Sequence, residues 1–395
     1  MRLLVLAPQP FFTLRGTPIA VRLLLEALAA DGHRIDAVVF PGGEPVEIPG
    51  VRFLTVPGPG PFGRIRPGFS AKKAALDGVM AAMAAGLMAR NRYDLVHAVE
   101  EAAYVARWLK AVFGVPYVAD LDSSIPQQIA EKWTLPGPVM RVLEGAERRS
   151  LRGAAAALAC CPALEEIALR EAPGTPVRTL TDISLLDGAL VGQEAVDTSD
   201  ARFDAPVAMY VGNLEHYQGI DLLMEAVAVA LPRRRMHLVV IGGSDADIAA
   251  YRGKADAMGI GAVTHFLGPR PISALGAYLA AADVVVSPRL KGLNTPMKVY
   301  SYLDSGRPLL ATKLSTHTQV LGDDIAKLVD PTPEAMAEGL VALMDDPDGA
   351  RALAERAQAR VRAEFSHAAF KAGLREFYAG TVLPRIGRPP ARAVA

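Results

Sequence analysis

Short apolar runs alternate with amphipathic stretches along the whole chain. The runs 3–7, HRIDAVVF (33–40), VRFLTV (51–56), Tyr93 to Ala98 and VPYVADLD (115–122) read as buried strands, each bounded by Gly, Pro or Asp. Between them apolar residues recur at helical spacing. Ile19, Leu23, Ala27 and Leu28 precede a terminating Gly32, and Leu76, Val79, Met80, Met83 and Leu87 follow a capping Ser70. A helical segment around 139–151 and a strand near 154–160 complete this half, and 180–205 reads as a connection. The pattern then restarts: strand 207–212, loop 213–219, helix 220–231, strand 236–243, helix 245–258, strand 264–268 and helix 272–282. A strand at Val284–Val286 and a last one at Lys327–Val329 follow, and the tail from Pro333 to Tyr378 is helical by pattern. Strand–helix alternation throughout predicts an α/β chain with parallel sheets.

The segment 283–312, DVVVSPRLKGLNTPMKVYSYLDSGRPLLAT, concentrates the chemistry. A strand and a glycine-containing loop lead to Asn294-Thr295-Pro296, where Thr295 suits an N-cap and Pro296 a first helical turn. Gly306 sits where a left-handed residue would close the helix, and Pro308 opens the next strand. Such a unit aims a helix start at the carboxyl edge of its sheet, an anion-binding geometry. Arg289, Lys291 and Lys298 flank that spot, so phosphate is the expected ligand. Thr17-Pro18 repeats the arrangement after the first strand and the loop Pro8–Gly16, with Arg15 close by. Two such helix starts predict two Rossmann-like halves facing each other.

At 395 residues the chain has room for two well-buried domains. Its 42 basic and 42 acidic residues balance, which argues against nucleic acid as a partner. Two adjacent cysteines, Cys160 and Cys161, make no disulfide framework and suit a reducing, cytoplasmic setting. Met1-Arg2-LLVLAP imitates a signal peptide, but its apolar run is short and a helix follows, so it reads as the first strand. No His/Cys/Asp grouping has metal-ligand spacing, and no GxGxxG is present. Polar residues end two strands: His97, Glu100 and Glu101 after one, Asp120, Asp122 and Ser123 after the other. Both sets belong where open sheets bind ligands. In 62–73, Phe62, Ile65 and Phe69 interleave with Arg64, Arg66, Lys72 and Lys73, a candidate surface for an anionic membrane. His216 and His317 lie in loops that could reach phosphate or sugar, whereas His33, His237, His265 and His367 read as structural.

RGTPIAVRLLLEALAADGH (15–33), YDLVHAVEEAA (93–103), YVGNLEHYQGIDLLMEAV (210–227), HFLGP (265–269), LAAADVVVSP (279–288) and SGRPLLAT (305–312) together resemble the GT-B glycosyltransferases of the large retaining family four. The resemblance covers nearly all of the chain. It implies two Rossmann-like domains across a cleft. Residues 1–190 would bind the acceptor and 191–364 a nucleotide-diphosphate sugar as substrate, with no metal or other cofactor. A C-terminal helix at about 365–380 would return to the first domain.

The residues read above and the positions matched to the family together put the donor contacts at Arg15, Gly16, Thr17, Gly212, Asn213, Gln218, Arg289, Lys291, Asn294, Thr295 and Ser301. His97, Glu100 and Glu101 fall to the acceptor, and Asp122 and Lys298 to catalysis. Several positions depart from the family pattern. Asn213 and Gln218 stand where an Arg and a Lys usually grip the diphosphate. Leu293 and Ser301 stand where two glutamates usually hold sugar and ribose, and Asp122 replaces a sugar-contacting His. The expected function is sugar transfer with retention to a glycan or lipid-linked acceptor. A GT-B-shaped binding protein and a nucleotide-sugar hydrolase or epimerase are the alternatives.

Overall fold

The computed structural model describes residues 1–12, 16–43, 45–58, 71–132, 135–186 and 196–387. The chain divides into two compact units, Met1–Thr181 with the segment from Lys371 onward, and Asp182–Phe370.

The first unit holds strands β1 (Arg2–Phe12), β2 (Arg34–Gly43), β3 (Val51–Thr55), β4 (Leu95–Val99), β5 (Tyr117–Leu121), β6 (Ala156–Ala159) and β7 (Val177–Thr179). They form one parallel sheet in the order β3-β2-β1-β4-β5-β6-β7. Strand order reverses between β1 and β4, which makes their carboxyl ends the switch point of this sheet.

β1 is longer than the apolar run suggests, because Pro8 and Pro10 lie inside it rather than in a loop. β4 pairs only with Leu3 to Leu6, and beyond Ala7 the strand has β2 alone as neighbour, with register shifts around Pro10. A proline without an N–H is tolerated where one side of the strand needs no donor.

In the helix Ala71–Arg90 the buried row is Leu76, Met80, Ala84 and Met88, while Val79 is exposed and Met83 and Leu87 are half-buried. The face turned inward is therefore rotated slightly from the expected one, and it is core. Ser70, the expected cap, lies outside the described residues.

The helical tail breaks twice, giving Pro333–Asp345, Pro347–Glu364 and His367–Phe377. Asp346 causes the first break by capping the next helix, accepting the Gly349 N–H ahead of Pro347 at the first turn. From Lys371 onward the chain is tied to the first unit. Tyr378 bonds His97, Arg375 pairs with Asp31, and Glu376 pairs with Arg178.

The second unit carries β8 (Val207–Val211), β9 (His237–Ile241), β10 (Thr264–Gly268), β11 (Val284–Ser287), β12 (Leu309–Thr312) and β13 (Lys327–Val329). This sheet is also parallel, in the order β10-β9-β8-β11-β12-β13, and its switch point lies between β8 and β11. Ala208, Tyr210, Leu238 and Val240 pack on one face, and Val207, Met209, Val239 and Ile241 on the other. Burial on both faces is why these strands read as unbroken apolar runs.

Candidate active site

Two loops leave the second sheet at its switch point, one from Gly212 to Gly219 and one from Pro288 to Met297. They are locked together. Gly219 has φ 79°, and a Cβ there would lie 1.9 Å from the Pro288 carbonyl oxygen. Only glycine combines that backbone conformation with so close an approach. The Leu290 N–H donates to the Tyr217 carbonyl at 2.9 Å, and the Arg289 guanidinium lies 5.3 Å from the Tyr217 ring centre.

Lys298 projects beneath this pair of loops. Its ammonium nitrogen is buried without a hydrogen-bond partner and sits 3.8 Å from the centre of the Tyr210 ring. A Cβ on Gly212 would come within 2.8 Å of that nitrogen, so glycine keeps the space open. Burial, and then the charge of Arg289, hold the Lys298 pKa well below the ordinary lysine value. Gln218 Oε1 and Thr295 Oγ1 are also buried without partners in the same two loops. Buried polar atoms are nearly always paired, so three unmet ones at a sheet's switch point mark a place prepared for a polar ligand.

The expected helix start is corrected. Thr295 caps nothing, because the helix runs from Lys298 to Asp304 with Met297 at the cap position. The chain is wound tightly first. Val299 N–H bonds the Pro296 carbonyl at 2.9 Å and Tyr300 N–H bonds the Met297 carbonyl at 3.3 Å. The Val299 and Tyr300 amides are thus taken up within the turn.

Ser301, expected as a donor contact, is held inside the second unit. It is buried, and its hydroxyl accepts the Leu185 N–H at 3.0 Å. His317 is fully buried, with Nδ1 donating to the Thr312 carbonyl at 2.8 Å and Nε2 2.9 Å from the Ser287 hydroxyl. Burial lowers its pKa to about 4, so it is a neutral core residue rather than a phosphate contact. His216 is exposed and lies 3.6 Å from the Asp221 carboxylate. Asn213 is exposed, and its carbonyl accepts the Tyr210 hydroxyl at 2.7 Å. Arg289 donates from Nε to the Lys291 carbonyl at 2.9 Å, and Lys291 itself is exposed. The Asn294 carbonyl accepts the Thr316 hydroxyl at 2.5 Å.

In the first unit, Gly16 and the half-buried Thr17 begin the helix Gly16–Ala30 after β1. Arg15 lies outside the described residues, as do 62–70 of the expected membrane loop. Lys73, counted there as a lipid contact, is buried and paired with Glu101 and Glu100.

His97, expected as an acceptor contact, lies in the core of the first unit. Its side chain is fully buried, with Nδ1 2.7 Å from the Tyr378 hydroxyl and Nε2 3.0 Å from Asp120. Glu100 follows β4 with φ 49°, the left-handed region, and is the one non-glycine residue among those described with positive φ. Its carboxylate accepts from Ser123 at 2.8 Å and from the Gln9 amide at 3.2 Å. Asp122 directly follows β5 and is half-buried. Sequence reasoning passed over Gln9 and Tyr210. Gln9 was hidden by the prolines on either side of it, and Tyr210 reads as one more apolar residue of its strand.

Residues 15–181 match the family described as glycosyl transferase 4-like domain, and residues 205–346 match glycosyl transferases group 1. The chain belongs to the group 1 glycosyltransferases. Among its relatives is the D-inositol 3-phosphate glycosyltransferase of Corynebacterium glutamicum (strain R), 31% identical over 180 residues. That match takes in 44% of this chain and 43% of the relative, less than half of its length.

Solved structures share the GT-B fold over almost the whole of this chain. Sucrose-phosphate synthase from Thermosynechococcus elongatus superposes with a TM-score of 0.77 at 22% identity, covering 95% of this chain and 98% of that one. HepE of Anabaena, solved in complex with UDP-glucose, gives 0.70 at 17% identity, covering 96% and 100%.

Proposed function

We propose that the protein transfers a sugar from a nucleotide-diphosphate sugar to a hydroxyl of a glycan or lipid-linked acceptor, with retention at the anomeric carbon. The observation that carries this reading is the Lys298 ammonium, buried and unpartnered at the switch point of the second sheet. Family membership and the UDP-glucose complex of HepE support the donor class.

Breaking the bond between sugar and phosphate leaves negative charge on the diphosphate. Lys298, with Arg289 as a second positive charge beside it, is preorganised to hold that charge. Thr295 can donate to a phosphate or accept from a hydroxyl, and Gln218 Oε1 accepts from a hydroxyl of the donor. Asp122, a catalytic position on the family resemblance, would orient the reacting hydroxyls, with the departing phosphate oxygen taking the acceptor's proton.

A second reading has a specific observation in its favour. Ser301 stands where the family resemblance places a ribose-holding carboxylate, and its hydroxyl is committed to Leu185. A protein that binds a nucleotide sugar without transferring it would tolerate that loss.

A thermal-shift screen of UDP, GDP and their sugars tests donor binding, because a ligand raises the melting temperature by mass action. Following nucleotide release and product configuration by NMR then separates transfer from binding. If no nucleoside diphosphate or nucleotide sugar shifts the melting temperature at millimolar concentration, the transferase reading is wrong. Tight binding without turnover selects the binding protein.

A further inference from the structure

The Lys298 ammonium has no hydrogen-bond acceptor, and among the described residues no carboxylate pairs with it. What it has is an aromatic face, the Tyr210 ring, whose centre lies 3.8 Å from the nitrogen. The negative face of a ring attracts a cation most strongly where water is excluded. Tyr210 is fully buried at the end of β8, and its hydroxyl donates to the Asn213 carbonyl at 2.7 Å. Tyr302, from the helix that carries Lys298, accepts the Val211 N–H at 2.7 Å and donates to the Val211 carbonyl at 3.1 Å. Strand end, loop and helix are thereby fixed to one another around the ring. Gly212 leaves room beside both groups, since a Cβ there would lie 2.8 Å from the Tyr210 hydroxyl oxygen and 2.8 Å from the Lys298 nitrogen.

We infer that Tyr210 is a positioning residue for the donor's diphosphate: its ring face is the resting place of the Lys298 ammonium, and its hydroxyl ties down the loop Gly212–Gly219. The inference rests on the reading of Lys298 as the diphosphate's partner.

The ring acts before the ligand arrives. Burial and the Arg289 charge both oppose a proton on Lys298, and the cation–π contact favours one. The other titratable groups around the pair are Tyr217, Tyr251 and Tyr302 near Tyr210, and His317 near Lys298. Burial holds the Tyr210 phenol well above its ordinary pKa, so the ring stays neutral while Lys298 titrates. A neutral amine offers a phosphate no charge, so donor binding should weaken as pH rises through the Lys298 midpoint.

The test is calorimetric titration of the full-length protein with UDP and GDP from neutral to alkaline pH, where the phosphates are already ionised. Ionisation of the base is common to every variant and cancels in the comparison. Tyr210→Phe keeps the π face, so its midpoint should match wild type while affinity drops about two- to tenfold with the lost loop tether. Tyr210→pentafluorophenylalanine, introduced by stop-codon suppression, reverses the charge of the ring face at nearly the same shape. Its midpoint should fall by about one pH unit or more, with binding above it roughly tenfold weaker than in Tyr210→Phe. Below the midpoint the two should bind alike. Tyr210→Leu, apolar without a π face, should also lower the midpoint and serves if the fluorinated chain does not fold. Lys298→Met should show no midpoint at all.

One midpoint shared by the Phe, fluorinated and Leu variants overturns the inference and leaves the donor reading standing, with Tyr210 reduced to core packing. A midpoint that persists in Lys298→Met overturns it too, because the titrating group is then another. Absence of UDP and GDP binding at every pH removes the donor reading itself, and with it any role of Tyr210 toward a phosphate.

Discussion

Lys298→Met should make the second unit more stable and its nucleotide affinity worse. The substitution keeps an unbranched side chain of similar reach against the Tyr210 ring but removes an ammonium that has no hydrogen-bond partner. Leaving such a group buried and unsatisfied costs about 1–3 kcal/mol. For a unit of this size that corresponds to roughly 2–4 °C of melting temperature per kcal/mol. A diphosphate would turn the same ammonium into a charge-assisted donor worth about 1.5–3 kcal/mol, so the variant should bind UDP or GDP roughly 10- to 150-fold more weakly.

The pH dependence has a definite sign. The folded-state pKa of Lys298 lies well below the 10.5 of an unperturbed lysine. Between those two values the unfolded chain holds more protons than the folded one, so wild-type stability climbs with pH across that window. The methionine variant should lack that climb. Differential scanning fluorimetry against pH, with calorimetric titration of UDP and GDP, measures both halves. A variant that melts no higher than wild type, or that binds nucleoside diphosphates equally well, refutes the assignment of Lys298 as a phosphate partner.

Other substitutions probe the scaffold around both units. His317 titrates at about 4 when folded against 6.5 when free, so it contributes stability above 6.5 that is lost as pH falls toward 4. The loss is on the order of 3 kcal/mol, and it should appear as a steeper acid sensitivity in wild type than in His317→Asn by thermal denaturation. Gly219→Ala meets both a positive φ and the Pro288 carbonyl. It should cost roughly 2–3 kcal/mol and weaken nucleotide binding, and an unchanged melting temperature would show that the two loops are not locked there. Tyr378→Phe leaves His97 Nδ1 without its partner. A loss of about 1–3 kcal/mol is expected, with faster hydrogen exchange in the segment 371–387. Unaltered exchange would mean that this contact does not hold the tail.

Some of this was written in the linear pattern. Unbroken apolar runs announced strands buried on both faces, because a parallel sheet covered by helices has no polar side. Gly306 could be placed in the left-handed region before any coordinates, since a helix ending ahead of a proline strand requires one. Lys298 was singled out by its place beside an expected phosphate.

What the pattern could not supply was the use made of each polar side chain. Ser301, His317 and His97 have the residue types and positions of ligand contacts, yet each is committed to a neighbour remote in sequence: Leu185, Ser287 and Tyr378. Lys73 reads as a surface charge until Glu100 and Glu101 are brought against it from beyond the next strand. Helical periodicity is a local property of the chain, so sequence determines it directly. Whether a buried polar atom finds a partner depends on groups that only the folded sheet assembles, and that tertiary accounting separates Lys298, Thr295 and Gln218 from the residues around them.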